Sequence, residues 1–85
     1  MKFTYDPRYN VAYIRLREKQ TDGVETIRVS DDVVVDIAPD GALYGIELLN
    51  ANEQLSHEDA GELIVVNEAT GERTSLTLMS GVPAA

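Results

Sequence analysis

The chain has 85 residues, 15 acidic against 7 basic side chains, a formal charge of −8 and no cysteine. That length is one domain, a little above the size at which small folds depend on disulfides or metals, and a disulfide framework is excluded outright. The negative field repels nucleic-acid backbones and anionic membranes, and no apolar run approaches the roughly 18 residues of a membrane helix, so neither partner is expected.

With neither a basic-plus-apolar leader nor a membrane span in view, the chain is expected in the cytoplasm, with which its lack of thiols is compatible. The acids are spread along the sequence rather than gathered in a tail, so the surface field suits a basic protein partner.

Residues 2 to 5 alternate polar and aromatic, which sets Phe3 and Tyr5 on one face of a first strand. Asp6-Pro7-Arg8-Tyr9-Asn10 breaks it, because proline lacks a donor and Asp and Asn bond to nearby backbone. Residues 11 to 17 form the second strand, with Ala12, Ile14 and Leu16 on one face and Tyr13, Arg15 and Arg17 on the other. A polar stretch ending in Asp22-Gly23 leads to a third strand from Val24, with Ile27 and Val29 as its inward pair. Ser30-Asp31-Asp32 reads as a bend within one continuous strand, with a loop between two strands as the alternative.

Residues 33 to 49 hold two apolar runs around Pro39-Asp40-Gly41, the turn on which the rest is organised. Proline sets φ at its second position, aspartate tolerates the next and glycine supplies the positive φ that restarts the strand. Val33, Val35, Ile37, Tyr44, Ile46 and Leu48 supply one apolar face, yet Val34, Leu43 and Leu49 make the other face apolar too. Beyond the sheet, Ser56 is expected to cap a helix of about two turns that Gly61 ends. Residues 63 to 66 and 75 to 79 read as a C-terminal hairpin, although the first run could also continue the helix. The expected fold is therefore α+β and mainly antiparallel β: a meander sheet of about four strands, a short helix and a C-terminal hairpin. It forms one domain over residues 1–79, with a core at 1–52, an extension at 53–79 and a flexible tail at 80–85.

Candidate chemistry is sparse. His57 is the only histidine, and glycine stands four residues on, where a zinc-protease helix carries its second ligand. Asp31, Asp32, Asp36, Asp40 and Glu47 lack the order of a calcium loop. No metal and no cofactor is expected. Asp36 and Glu47 share a face inside apolar strands, approximately opposite one another, and two like charges there need a cation between them. Arg15 and Arg17 on the second strand supply it, so Arg15, Arg17, Asp36 and Glu47 are expected to form a structural ion-pair cluster.

Tyr5-Asp6, Tyr13-Ile14-Arg15-Leu16, Val34-Val35-Asp36, Asp40-Gly41 and Gly45-Ile46-Glu47-Leu48-Leu49, with Ala51 behind them, resemble the pattern of the small bacterial DUF2283 proteins, a family of unknown function. The resemblance covers about the first 52 residues, and its most specific piece runs from Asp36 to Ala51. Ala12 stands where the pattern usually carries leucine, and the segment after Leu55 lies outside it. The resemblance implies a compact antiparallel β-rich domain and brings no catalytic residues.

The expected function is a non-enzymatic, self-associating interaction module, antitoxin-like in restraining a basic partner. The alternative is a small metal-dependent hydrolase using Asp36 and Glu47 with Asp31 or Asp32. A homodimer is expected through the face carrying Val34, Leu43 and Leu49, because an apolar patch of a few hundred Å² favours association. The competing expectation is that residues 63 to 79 fold back over that patch as a lid.

Overall fold

A computed structural model, which describes residues 1–18 and 22–78, places a positive φ of 89° at Gly41, where the central turn requires it. Ala38 accepts from the Gly41 amide at 2.9 Å and donates to the Ala42 carbonyl at 2.8 Å, which closes a three-residue hairpin loop ending in a left-handed glycine. Asp40 accepts from the Ala42 amide at 3.0 Å and from the Arg17 guanidinium at 2.7 Å. Both bonds, the one from Arg17 foremost, hold its carboxyl below the usual carboxylate range.

The chain divides into two compact units, Met1–Ala51 and Asn52–Ala85. The first unit is a five-stranded antiparallel sheet: β1 (Lys2–Asp6), β2 (Val11–Arg15), β3 (Glu25–Ser30), β4 (Val33–Ile37) and β5 (Leu43–Leu49). A short helix, α1 (Ala51–Ser56), begins at the junction. The second unit carries a 3-10 turn (Asp59–Gly61) and a hairpin of β6 (Glu62–Val66) and β7 (Arg73–Thr77). The fold is a small α+β arrangement dominated by antiparallel sheet, and no helix among the described residues is long and apolar enough to cross a membrane. The tail expected at 80–85 lies outside the described residues.

The strand order is β1-β2-β5-β4-β3, so the sheet has five strands rather than four and is not a simple meander. The extra strand comes from Ser30-Asp31-Asp32, where β3 ends at Ser30 and Asp31-Asp32 turn the chain into β4 in place of a bend within one strand. The Ser30 hydroxyl accepts from the Asp32 amide at 3.3 Å, and Arg28 donates to the Ser30 and Asp31 carbonyls at 3.4 and 3.0 Å, local bonds that favour reversal over extension. Because β5 lies beside β2, the chain leaves the middle of the sheet after β2 and re-enters at its far edge as β3. Ile27 and Val29, expected to face inward, are therefore 38% and 62% exposed on an edge strand.

Register assembles the apolar face row by row: Phe3, Ile14, Ile46, Val35 and Ile27 lie side by side across all five strands. Beside them Tyr5, Ala12, Leu48 and Val33 form a second row. Most of these side chains are only half-buried, and the buried apolar residues are Ala12, Val34, Ala38, Tyr44 and Ala51. Tyr44 is an extra residue in β5, since Asp36 faces Gly45 while Ile37 faces Leu43. The bulge aims its ring inward and leaves its carbonyl to accept from the Leu16 and Arg17 amides at 2.7 and 3.4 Å.

The helix ends where it was expected to start. It occupies Ala51–Ser56, and the Ser56 hydroxyl donates to the Asn52 carbonyl instead of capping a later turn. Asp59 and Ala60 both take positive φ, at 57° and 52°, which stops any helix from crossing that segment.

Gly41→Val should lower stability by about 1–3 kcal/mol, because no atom crowds the site and the cost is that of forcing a β-branched residue to positive φ. Urea unfolding at an unchanged m-value checks this, and a variant as stable as the parent would contradict it.

Candidate functional site

Among the described residues Asp36 is the one buried acid, 7% exposed, on a strand whose neighbours are valine and isoleucine. A carboxylate in that position needs donors, and two hydroxyls reach it. Tyr13 on β2 donates to Oδ2 at 2.9 Å, and Thr26 on β3 donates to Oδ1 at 2.7 Å. Tyr13 and Asp36 sit on strands separated by β5, so the phenol must cross that strand.

Gly45 provides the crossing. A Cβ on Gly45 would lie 2.5 Å from the Tyr13 hydroxyl oxygen and 2.6 Å from its ring carbon, with the Ile14 carbonyl 2.5 Å away. Any side chain here would push the ring off Asp36. The result is a hydrogen-bonded brace over four strands: Tyr13 from β2, the bare backbone of Gly45 in β5, Asp36 in β4 and Thr26 from β3.

Burial and then the bond to the Asp36 carboxylate push the Tyr13 phenol up to about 12 from its ordinary 10, with the charge of Glu47 adding and that of Arg15 opposing. At neutral pH Tyr13 is therefore a donor, not a base or nucleophile. The raised value means that folding favours the protonated phenol. The brace contributes fully below pH 10 and is lost as pH rises toward about 12.

The ion-pair cluster expected of Arg15, Arg17, Asp36 and Glu47 is arranged differently. Arg15 bonds Glu18 at 3.1 Å and Arg17 bonds Asp40 at 2.7 Å, while Asp36 is met by the two hydroxyls. Glu47 faces Val34 and Tyr13 rather than Asp36, because the count from the turn, even with the extra residue at Tyr44, brings Asp36 only as far as Gly45, two residues short of Glu47. The two acids are diagonal neighbours, which relieves the repulsion that called for a cation. Asp31 and Asp32 lie in the β3–β4 turn, with Asp32 four residues and so roughly 13 Å along an extended strand from Asp36. The set named for a metal-dependent hydrolase is not brought together, and no group of three or more metal-ligating side chains occurs among the described residues.

Val34, expected on an exposed patch with Leu43 and Leu49, is buried; Leu43 and Leu49 are half-buried. In register Val34 lies between Glu47 and Arg28, long side chains whose stems shield an apolar neighbour. Exposed apolar side chains sit elsewhere, at Ile27 and Val29 on β3 and at Leu63, Val65, Val66 and Leu76 on the β6–β7 hairpin. Sequence reasoning overlooked Tyr13, Thr26 and Gly45. Their signal was a tyrosine on the wet face of β2 and a glycine inside the apolar run of β5.

Fold and site together define a small antiparallel β protein of the α+β class, braced by a buried carboxylate. The model of the family described as "Protein of unknown function (DUF2283)" matches residues 2–52, more than half of the chain. The protein belongs to that family. No curated protein and no solved structure matches the chain.

Two outcomes test the brace. In spectrophotometric alkaline titration of the four tyrosines, the component near pH 12 should disappear in Tyr13→Phe and move down in Asp36→Asn. A profile unchanged in both would disprove the bond. Gly45→Ala should cost about 2–3 kcal/mol in urea unfolding, as backbone and ring cannot both retreat; a loss below half that figure would show that the ring does not need the gap.

Proposed function

We propose that the protein is a non-enzymatic, cytoplasmic interaction module that pairs with its own copies and offers its acidic surface to a basic protein, in the manner of an antitoxin. The observation that carries this reading is where the apolar surface lies. Six large aliphatic side chains on β3, β6 and β7 are exposed, and among the described residues no large side chain is fully buried. A chain of this size that leaves so much aliphatic surface open gains by covering it with another chain. The charge of −8 supports the second half of the reading, because it raises encounter rates with a cationic partner and discourages nucleic acid.

Light scattering after gel filtration checks self-association. A mass rising from monomer toward dimer through the micromolar range is expected, and more completely at higher salt, where repulsion between acidic copies is screened. A monomeric mass at every concentration would overturn it. Affinity purification from the native organism at low salt that recovered the chain alone would overturn the basic partner.

A further inference from the structure

We infer that a second copy of the chain docks along β3, antiparallel and about a two-fold axis through Ile27, making one sheet continuous across the pair. This deepens the self-association reading and rests on it. Within the five-stranded sheet β3 pairs only with β4, and all six of its residues are exposed. An edge strand offers a row of unpaired amides and carbonyls to another strand. No proline interrupts it, and its one bulge lies at its far end, between Arg28 and Ser30.

Symmetry narrows the register. In a two-fold antiparallel pair, opposed residues must lie on the same face of the sheet, so the axis falls on a residue of β3 and not between two. An axis on Arg28 sets two guanidinium groups face to face, which disfavours the pairing. An axis on Thr26 sets Glu25 against Ile27 at the centre of the ladder. An axis on Ile27 matches Ile27 with its own copy and Thr26 with Arg28. Its one poor match, Glu25 with Val29, falls at the bulge, where the ladder ends and the carboxylate stays in water.

Two features favour that register and a second copy as its occupant. The apolar row that crosses all five strands ends at Ile27, so an Ile27 pair carries it into the partner sheet without a break. On the opposite face the partner's arginine comes beside Thr26, whose hydroxyl donates to the buried Asp36 and keeps a lone pair to accept with. Arg28 spends one of its nitrogens on its own turn carbonyls and has donors left for this. Each copy thus brings a cation to the other's carboxylate, which a chain of charge −8 needs at any contact with itself.

The absence of native cysteine makes the register testable by single thiols. Opposed residues in an antiparallel pair lie about 4.5–5.5 Å apart at Cα, inside the range of a disulfide. Under mild oxidation Ile27→Cys should form a covalent dimer about tenfold or more faster than Thr4→Cys on the other edge, because the interface holds its thiols at high effective concentration. Thr26→Cys and Arg28→Cys should cross-link when mixed and scarcely when alone. Arg28→Glu should weaken the dimer of the otherwise unaltered chain by about tenfold or more. A chain that dimerises by light scattering while Ile27→Cys reacts no faster than Thr4→Cys would overturn this register and leave self-association standing. A monomer at every concentration would overturn both.

Discussion

A single carboxylate buried among β-branched side chains sets the terms for the first unit. Asp36 could not occupy its position on β4 unless hydroxyl donors reached it, and those donors stand on strands to either side. To bring Tyr13 from β2, the sheet must place β5 between them and leave β5 without a side chain at the crossing. Gly45 is therefore a packing requirement, and the strand order, the register of β2 on β5 and the bulge at Tyr44 all have to agree with it. Exchanging either donor for an apolar residue leaves part of a buried carboxylate unsatisfied, which costs far more than the net worth of one hydrogen bond.

The brace and the central turn act at neighbouring levels of the same hairpin. At the turn, Arg17 from the segment after β2 reaches Asp40 and lies over the buried Tyr44 ring at 5.2 Å. One residue before the end of β4, Tyr13 reaches Asp36. Both connections tie β2 to the hairpin of β4 and β5, the neighbour that sequence order does not provide. They hold in place the crossing that sends the chain from the centre of the sheet to its edge.

Strand positions were legible wherever alternation and turn chemistry agreed, as at residues 11 to 15, 33 to 37 and 43 to 49. The Pro39-Asp40-Gly41 turn was legible in detail, because each of its residues answers a local backbone demand. What failed was non-local. Strand order depends on which pairs meet, and alternation along one strand carries no record of that; hence Ile27 and Val29 looked like core residues although their strand is an edge. Ser30-Asp31-Asp32 was misread because side-chain bonds to the backbone reverse a chain without glycine or proline. Asp36 stood out in the sequence as an acid inside an apolar strand, but Arg15 and Arg17 pair with Glu18 and Asp40, and Asp36 accepts from the hydroxyls of Tyr13 and Thr26. Tyr13 and Thr26 are ordinary strand residues by propensity, so only register brings them together.

The acidity of the chain and its exposed edge place opposing demands on any self-contact. Copies carrying −8 repel over most of their surface, so attraction must come from terms that charge does not weaken: ladder hydrogen bonds and apolar burial. An edge strand supplies both in a small footprint. β3 is favourable ground for this, since within Glu25–Ser30 one acid is balanced by one arginine, and the next acids come after the strand has ended. In the proposed pair the acids outside β3 would remain open to a cationic protein. Self-association and partner binding would draw on different physical terms, the first strengthened by salt and the second weakened by it, and need not compete for the same surface.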